Sequence, residues 1–338
     1  MKEESVTQDL HAPAEQTIQA VAKALSEANY LLILAGAGFS ADSGLDTYES
    51  MPEEYRELCD PAILVRQEKR FQEFWWQFAK KYAETAPHKG YNILDSWCEG
   101  GKLKNLMMHD HGNLCSWWVY TSNVDGHFRR FSSFESSLCE IHGFAGEFRC
   151  GGAMGYENGV ERIGDMWKNW NQRVHELHTD KCDNDSLVEV GNEEKQSFRC
   201  MHCGLPSRPN VLMFHDTDAN VLRSIGEQRE RYQNWESRME DDVVNCEKNL
   251  VILEFGCGKN VPAVRYESEE VLGDCIERIR SSPKGGDVTL VRVNPKDAGI
   301  DCNADIKSHV VSLYDSSLRA LHSIDRELSM LLKEHIAG

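Results

Sequence analysis

Apolar residues along this chain gather in short unbroken runs that alternate with stretches of helical spacing. Leu31 to Leu34, Trp117 to Tyr120, Leu250 to Phe255 and Val288 to Val293 read as strands covered on both faces, the pattern of a parallel sheet. Ile18, Val21, Ala22 and Leu25 predict a helix just before the first strand. Phe71, Phe74, Trp75, Phe78 and Tyr82 place an aromatic stripe on a helix over Arg70–Tyr82, and Tyr91 to Trp97 resumes a helix after the break at Pro87-His88-Lys89-Gly90. His88 reads as a cap or a surface residue. Ser50 to Leu58 reads as acidic and irregular, Asn210 to Phe214 as a strand and Leu222 to Met239 as a charged helix. From His309 one amphipathic helix is predicted through Leu313, Leu321, Ile324 and Leu331.

The rhythm breaks between Gly143 and Pro209. Two strand-like pieces, Gly146 to Cys150 and Leu187 to Val190, flank a segment with Ile163, Met166, Trp167, Trp170, Val174 and Leu177 at helical spacing. The predicted architecture is α/β: a Rossmann-like parallel sheet with helices on both faces, a helical module and a small inserted module. Residues 16–142 and 210–325 form the large domain, with the helical module at about 50–97. Residues 143–209 form the small domain, and 326–338 the end of the C-terminal helix.

Composition narrows the function. A net charge of −18 argues against an unassisted grip on nucleic-acid phosphates and favours a basic peptide partner. Residues 1–16 are polar, without an apolar signal region, and no apolar run reaches the length of a membrane span, so an intracellular protein, cytoplasmic or nuclear, is expected. The 12 cysteines are too dilute for a disulfide framework. Cys59, Cys98, Cys115 and Cys246 read as small buried hydrophobes, whereas Cys200-Met201-His202-Cys203 has metal-ligand spacing.

Chemistry concentrates after the first strand, in Gly36, Ala37, Gly38, Ser40, Ser43 and Gly44. Glycines there let a tight turn bring backbone N–H groups against a phosphate. The spacing is not the dehydrogenase fingerprint, and no acidic ribose ligand follows about 20 residues on, which argues against hydride transfer. Two further stretches follow in order: T-S-N-V-D-G-H over Thr121–His127 and E-I-H-G over Glu140–Gly143.

G-A-G-x-S-x-x-S-G, then S-N-V-D-G, then H-G, together resemble the sirtuin family of NAD-dependent protein deacylases, over roughly Gln16 to Val311. The resemblance implies NAD as cosubstrate, an acylated lysine of a protein as acceptor, and nicotinamide and O-acyl-ADP-ribose as products. It makes His142 the general base, a role that suits an imidazole titrating near neutral pH. Asn123 and Asp125, two apart after a strand, share one side if extended. The family assigns them to a ribose hydroxyl or water and to the nicotinamide carboxamide, and an Asx-turn at Gly126 is the local alternative. Gly36 to Gly38, Ser40 and Ser43 would hold phosphate, Gly256 and Gly258 a phosphate or ribose, and Asn294 the adenosine side.

The family's small domain is stapled by zinc on two C-x-x-C pairs. Cys200 and Cys203 keep one pair, but Cys150 is followed by Gly151-Gly152-Ala153, so the fourth thiolate is missing. Either Cys182 completes a four-thiolate site, or Trp167 and Trp170 hold the module without metal. Glu49 stands where family members carry an arginine beside the cofactor, and His215 stands where they carry a glycine in the strand that pairs with substrate. These departures keep open two alternatives: an NAD glycohydrolase or mono-ADP-ribosyltransferase, and a silent NAD or ADP-ribose sensor.

Overall fold

The structure is a computed structural model that describes residues 15–99, 101–103, 105–106, 115–153, 188–189, 199–300 and 304–337. Its contacts divide the chain into two units, one of residues 1–42, 88–119 and 235–338 and one of residues 43–87 and 120–234.

The first unit is built on strands β1 (Tyr30–Ala35), β7 (Leu250–Phe255), β8 (Val288–Val293) and β9 (Val310–Leu313). Adjacent members pair in parallel, with Leu31 opposite Val251 and Leu253 opposite Val291. Strand β2 (Trp117–Thr121) lies beside β1 and the three-residue β3 (Leu138–Glu140) beyond it, so the whole sheet runs β3-β2-β1-β7-β8-β9. Leu31 to Leu34 are fully buried, which is why this stretch carries no alternation. Helices α1 (Glu15–Glu27), α2 (Ala37–Ala41), α6 (Lys89–Cys98), α8 (Ala263–Ile279), α9 (Ala304–Lys307) and α10 (Ser317–Ala337) complete the unit. Helix α10 packs on α1 and α6, where Trp97 Nε1 donates to Asp325 at 2.7 Å.

Two charges lie inside the apolar strands. Glu254 of β7 and Arg292 of β8 are register partners, both fully buried, and meet at 2.7 Å. Ser268 also donates to Glu254, and Glu269 accepts from Arg292 at 2.8 Å.

The second unit holds helices α3 (Glu53–Arg56), α4 (Ala62–Arg66) and α5 (Glu68–Glu84), and the antiparallel sheet β5-β4-β6, of β4 (Gly143–Cys150), β5 (Val188–Glu189) and β6 (Ser207–Val211). The predicted aromatic stripe lies on α5. Phe71, Trp75 and Tyr82 are buried in one cluster with Ala145, Phe148 and Leu205, and Phe74 and Phe78 pack against it half-buried. Trp75 Nε1 donates to Leu58 O at 2.9 Å, which satisfies the one polar atom of a buried indole. Helix α7 (Ala219–Asn245) runs through both units.

The expected fold class holds, and the structure corrects the reading at four places. Leu313 belongs to β9, not to the terminal helix: Val310, Val311 and Leu313 pair with β8, and the helix begins only at Ser317. Ser50 to Leu58 is not wholly irregular, because Glu53–Arg56 closes one helical turn. Cys246 is exposed, and Cys59 and Cys115 are half-buried, so of the cysteines read as core only Cys98 is buried. The strand expected over Asn210–Phe214 runs instead over Ser207–Val211, and a turn begins at Met213. The helix expected through Ile163 to Leu177 and residue Cys182 lie outside the described residues.

That turn is locked by ions. The guanidinium of Arg208, fully buried, donates to both carboxylate oxygens of Asp216, one at 2.9 Å, to Val211 O at 2.8 Å and to Asp218 at 3.5 Å. Asp218 in turn accepts from Asn220 N at 3.0 Å and caps α7. Inside the turn His215 has φ 60°, a left-handed conformation that costs a side-chain-bearing residue about 1–2 kcal/mol. Replacing His215 by glycine is therefore expected to stabilise the protein by about 1 kcal/mol, an increase most substitutions do not give. Denaturant unfolding of the two proteins checks it, and an unchanged or lower midpoint refutes it.

Candidate active site

Of the residues expected to act, the first unit brings together Gly36, Ala37, Gly38, Ser40, Gly256, Gly258 and Asn294. Strands β1, β7 and β8 end side by side, and backbone bonds tie the turns after them: Gly36 N to Phe255 O at 2.9 Å, Gly38 N to Gly256 O at 3.0 Å and Gly256 N to Val293 O at 2.9 Å. The approach requires glycine. A Cβ on Gly38 would stand 2.7 Å from Gly256 Cα, one on Gly36 2.8 Å from Gly256 O, and Gly256 itself has φ 61°. With the amides of Gly36 and Gly38 committed to carbonyls, Ala37 N–H is the one of the three that opens α2. Ser40 is buried one turn on, over the fully buried Phe39.

Asn294 organises the neighbouring turn. Its Nδ2 donates to Cys257 O at 3.0 Å, and its Oδ1 accepts from Lys296 N and Asp297 N, both at 2.9 Å. His88 caps α6, as its position predicts, and is buried besides. Its Nδ1 accepts from Gly90 N at 2.9 Å, so Nε2 carries the proton and donates to Phe39 O at 3.0 Å.

The second unit holds Asn123, Asp125 and His142. Asn123 and Asp125 are 7% and 5% exposed, in a loop fixed at several points. Thr121 Oγ1 accepts from Asn123 N at 3.1 Å, Asp125 Oδ1 accepts from His127 N at 2.8 Å, and Val124 O accepts from Ala145 N at 2.9 Å. The Asp125 bond is the Asx-type turn foreseen at Gly126. Gly126, at φ 69°, lies on the ring of Phe144, where a Cβ would come within 2.3 Å. Ser43 lies in this unit and is half-buried.

His142 sits between β3 and β4. Its main-chain carbonyl accepts from Leu212 N at 2.9 Å, and its ring bonds to the backbone of Ser122. Burial pushes the imidazole below its ordinary value, the Ser122 bond opposes that shift, and Arg229 adds to it, so the ring is neutral at pH 7. An anchored, desolvated, neutral imidazole is ready to accept a proton.

Sequence reading missed the ionic frame behind this loop. Arg129 donates from Nε to Glu140 Oε2 at 2.8 Å and from Nη1 to Glu147, with its guanidinium 4.2 Å from the centre of the Phe144 ring. The available signals were a carboxylate in the short apolar run before His142 and the Arg129-Arg130 pair after the loop.

Cys150, Cys200 and Cys203 meet at the end of β4. Their sulfurs lie within 4.8 Å of one another, and those of Cys150 and Cys203 are 3.5 Å apart. Tetrahedral zinc with bonds of about 2.3 Å separates thiolates by roughly 3.8 Å, so the set fits three corners of such a site. Gly152 N points at the Cys150 sulfur at 3.4 Å, and Cys200 O accepts from Gly204 N at 2.9 Å to close the turn between the other two.

No protein-family model matches the chain. Among curated proteins it is 26% identical over 163 residues to NAD-dependent protein deacylase 2 of Pseudomonas aeruginosa, covering 45% of this chain and 57% of that one. It is 28% identical over 204 residues to the mitochondrial NAD-dependent protein lipoamidase sirtuin-4 of Bos taurus, covering 55% and 58%. The chain thus spans less than three fifths of the length of these relatives. An NAD-dependent protein deacylase of Daphnia pulex is 27% identical over 221 residues, covering 62% and 73%. Among solved structures, a Sir2 homologue in complex with NAD superposes with TM-score 0.54 at 17% identity, covering 93% of this chain and 94% of that one. A Sir2–p53 peptide–NAD+ structure superposes with TM-score 0.54 at 16% identity, covering 93% and 99%. In its ordered motifs, in its fold and in these relatives the chain is similar to the sirtuin family.

Proposed function

We propose that this protein is an NAD-dependent protein-lysine deacylase, with nicotinamide and an O-acyl-ADP-ribose as products. The observation that carries the reading is His142: a half-buried imidazole that desolvation keeps neutral, tied to the Ser122 backbone, at the return of the Asn123-x-Asp125 loop. Its relatives' names supply the reaction class. NAD, when bound, supplies an ADP-ribosyl electrophile once its bond to nicotinamide opens. The interlocked turns at Gly36–Gly38 and Gly256–Gly258, with Ala37 N–H and the Ser40 and Ser43 hydroxyls, hold the phosphates, and the turn organised by Asn294 receives the adenosine side. Asp125, whose Oδ1 serves the Asx turn, accepts from the carboxamide N–H, the role the matching family residue has. Asn123 holds a ribose hydroxyl or a water, and His142 takes the proton of a ribose hydroxyl once the lysine acyl oxygen has attacked. Cys150, Cys200 and Cys203 hold zinc, whose role is structural.

One observation favours a second reading, in which water or another nucleophile replaces the acyl-lysine. Phe214 N donates to Cys59 O at 3.0 Å and Met213 N to Asp216 at 3.1 Å, so these amides of the segment after β6 are committed and do not offer an open strand edge. Nicotinamide release from NAD alone and from NAD with acetyl- and longer acyl-lysine peptides separates the readings. Peptide-dependent release supports the deacylase, and equal release without peptide refutes it.

Asp125→Asn tests the carboxamide assignment. The substitution keeps the Oδ1 acceptor of the turn and converts the other oxygen into a donor facing a donor. NAD affinity is expected to fall by about tenfold relative to ADP-ribose, the loss of one charge-assisted bond. Calorimetric titration with both ligands measures this, and equal losses would mean that Asp125 only shapes the loop.

A further inference from the structure

We infer that Arg129 is a positioning residue for Asp125 and His142, acting through the two buried carboxylates and the aromatic ring that hold its guanidinium. The inference rests on the active-site reading proposed above. Between Thr121 and His142 the chain leaves the sheet, forms the Asn123–His127 loop, and comes back along β3. The entry of that loop is fixed by Thr121, which accepts from Asn123 N and, through its carbonyl, from Ile141 N at 2.9 Å. Its middle is fixed by Ala145 N and by the contact of Gly126 with Phe144. Its exit is fixed by Arg129.

Arg129 joins this exit to both segments that flank His142. Nε and Nη2 reach Glu140 Oε2 at 2.8 and 2.7 Å, two residues before His142. Nη1 reaches Glu147 on β4, five residues after it, and the guanidinium plane covers Phe144, the ring under Gly126. Glu140 and Glu147 are 2% and 7% exposed, so solvent does not stand in for the cation. The second oxygen of Glu147 accepts from Asn210 Nδ2 at 2.9 Å, which steadies the far end of the clamp. Burial lifts Glu140 up to about 7 against the pull of Arg129, with Glu147 and Asp125 pushing the same way as burial. Arg129 is thus the cation that Glu140 and Glu147 share, between carboxylates that would otherwise repel one another and the loop that carries Asp125. A planar fork suits this place and a point charge does not, because three contacts in fixed directions must be met at once.

The test compares Arg129→Gln, Arg129→Lys and the double variant Arg129→Gln/Glu140→Gln with the wild type, by titration with NAD and ADP-ribose, by nicotinamide release and by thermal unfolding. Arg129→Gln is expected to leave ADP-ribose affinity within a few fold and to lower NAD affinity relative to it by about tenfold, because Asp125, assigned to the carboxamide, is displaced and the phosphate turns are not. Nicotinamide release should fall by about a hundredfold, the scale of a catalytic group misplaced by an ångström. Arg129→Lys should recover part of the rate. The double variant also neutralises Glu140, the more deeply buried of the two carboxylates that Arg129 pairs with, and so serves as the folding control for the single variant. It should regain the thermal midpoint but not the ratio of NAD to ADP-ribose affinity. A double variant that regains both, or an Arg129→Gln protein with an unchanged ratio, overturns the inference. A wild type that binds both ligands and releases no nicotinamide refutes the enzymatic reading alone, since the affinity ratio still decides the role of Arg129. A wild type that binds neither ligand refutes both.

Discussion

Replacing His142 by alanine is expected to lower NAD-dependent turnover by about 10² to 10⁴, the usual cost of removing a general base. The fold should be retained, because the bond His142 contributes to the second sheet comes from its main-chain carbonyl, which alanine keeps. ADP-ribose affinity should stay within a few fold, because the glycine turns assigned to the phosphates lie in the other unit of the chain and do not involve His142. Nicotinamide release, with ADP-ribose binding as the control, measures both. Near wild-type turnover in this variant refutes the mechanism.

The direction of the His142 shift adds a pH signature. Burial lowers its folded value below the ordinary 6.5, so the neutral, proton-accepting form dominates from below that pH upward. Turnover should rise with pH through a value under 6.5. The same shift bears on stability. A group whose folded value is lowered favours the native state above its unfolded value, and that contribution is lost as pH falls. In His142→Ala the acid loss of stability due to this ring should disappear along with the activity.

Much of the sheet could be read from the chain because its strands are covered on both faces. Continuous apolar runs marked β1, β2, β7 and β8 to within a residue. The two charges in β7 and β8 look like faults in those runs until the register makes Glu254 and Arg292 partners, a relation no local pattern contains. Strand β9 escaped because Leu313 also falls in phase with the apolar face of α10, and only pairing with β8 decides between them. The turn at Met213 escaped for a similar reason. Its lock is Arg208, a charged residue in a strand that becomes buried once Asp216 and Asp218 fold back on it.

The same contrast runs through the site. His142, Asn123, Asp125 and the glycines stand in short ordered motifs, so residue type and spacing suffice to single them out. What the glycines do was less open to reading. Two of the three amides at Gly36–Gly38 join one strand-end turn to another, and this follows from the parallel neighbour β7, more than 200 residues away in the chain. Arg129 was invisible for want of a motif: its partners lie 11 and 18 residues on, and only β3 and β4 bring them to one guanidinium.

Removing metal is expected to unfold the module around β4, because binding energy at a structural zinc site is folding energy, about 10–16 kcal/mol in small zinc domains. Cys150, Cys200 and Cys203 already stand at tetrahedral spacing, two of them buried. Burial raises the Cys150 thiol well above its ordinary value, and its neighbours Cys200 and Cys203 push the same way. Three thiolates packed this closely are stable only around a cation, and a protonated trio leaves the hydrogen bond from Gly152 with a weak acceptor. Purified protein should therefore contain close to one zinc per chain, and a strong chelator should release it together with the antiparallel sheet, seen as lost hydrogen-exchange protection over 143–150 and 207–211. Cys200→Ser should remove the metal outright. Cys182→Ser separates the ways of completing the fourth corner: equal loss of zinc assigns that corner to Cys182, whereas retained zinc assigns it to a histidine or water. The loop from Cys150 to Cys182 does not weigh against the first outcome, since closure entropy grows only with the logarithm of length. Protein that is free of zinc as purified, and unchanged by chelator in exchange over β4 and β6, would show that the aromatic cluster of Phe71, Trp75 and Phe148 holds the module without metal.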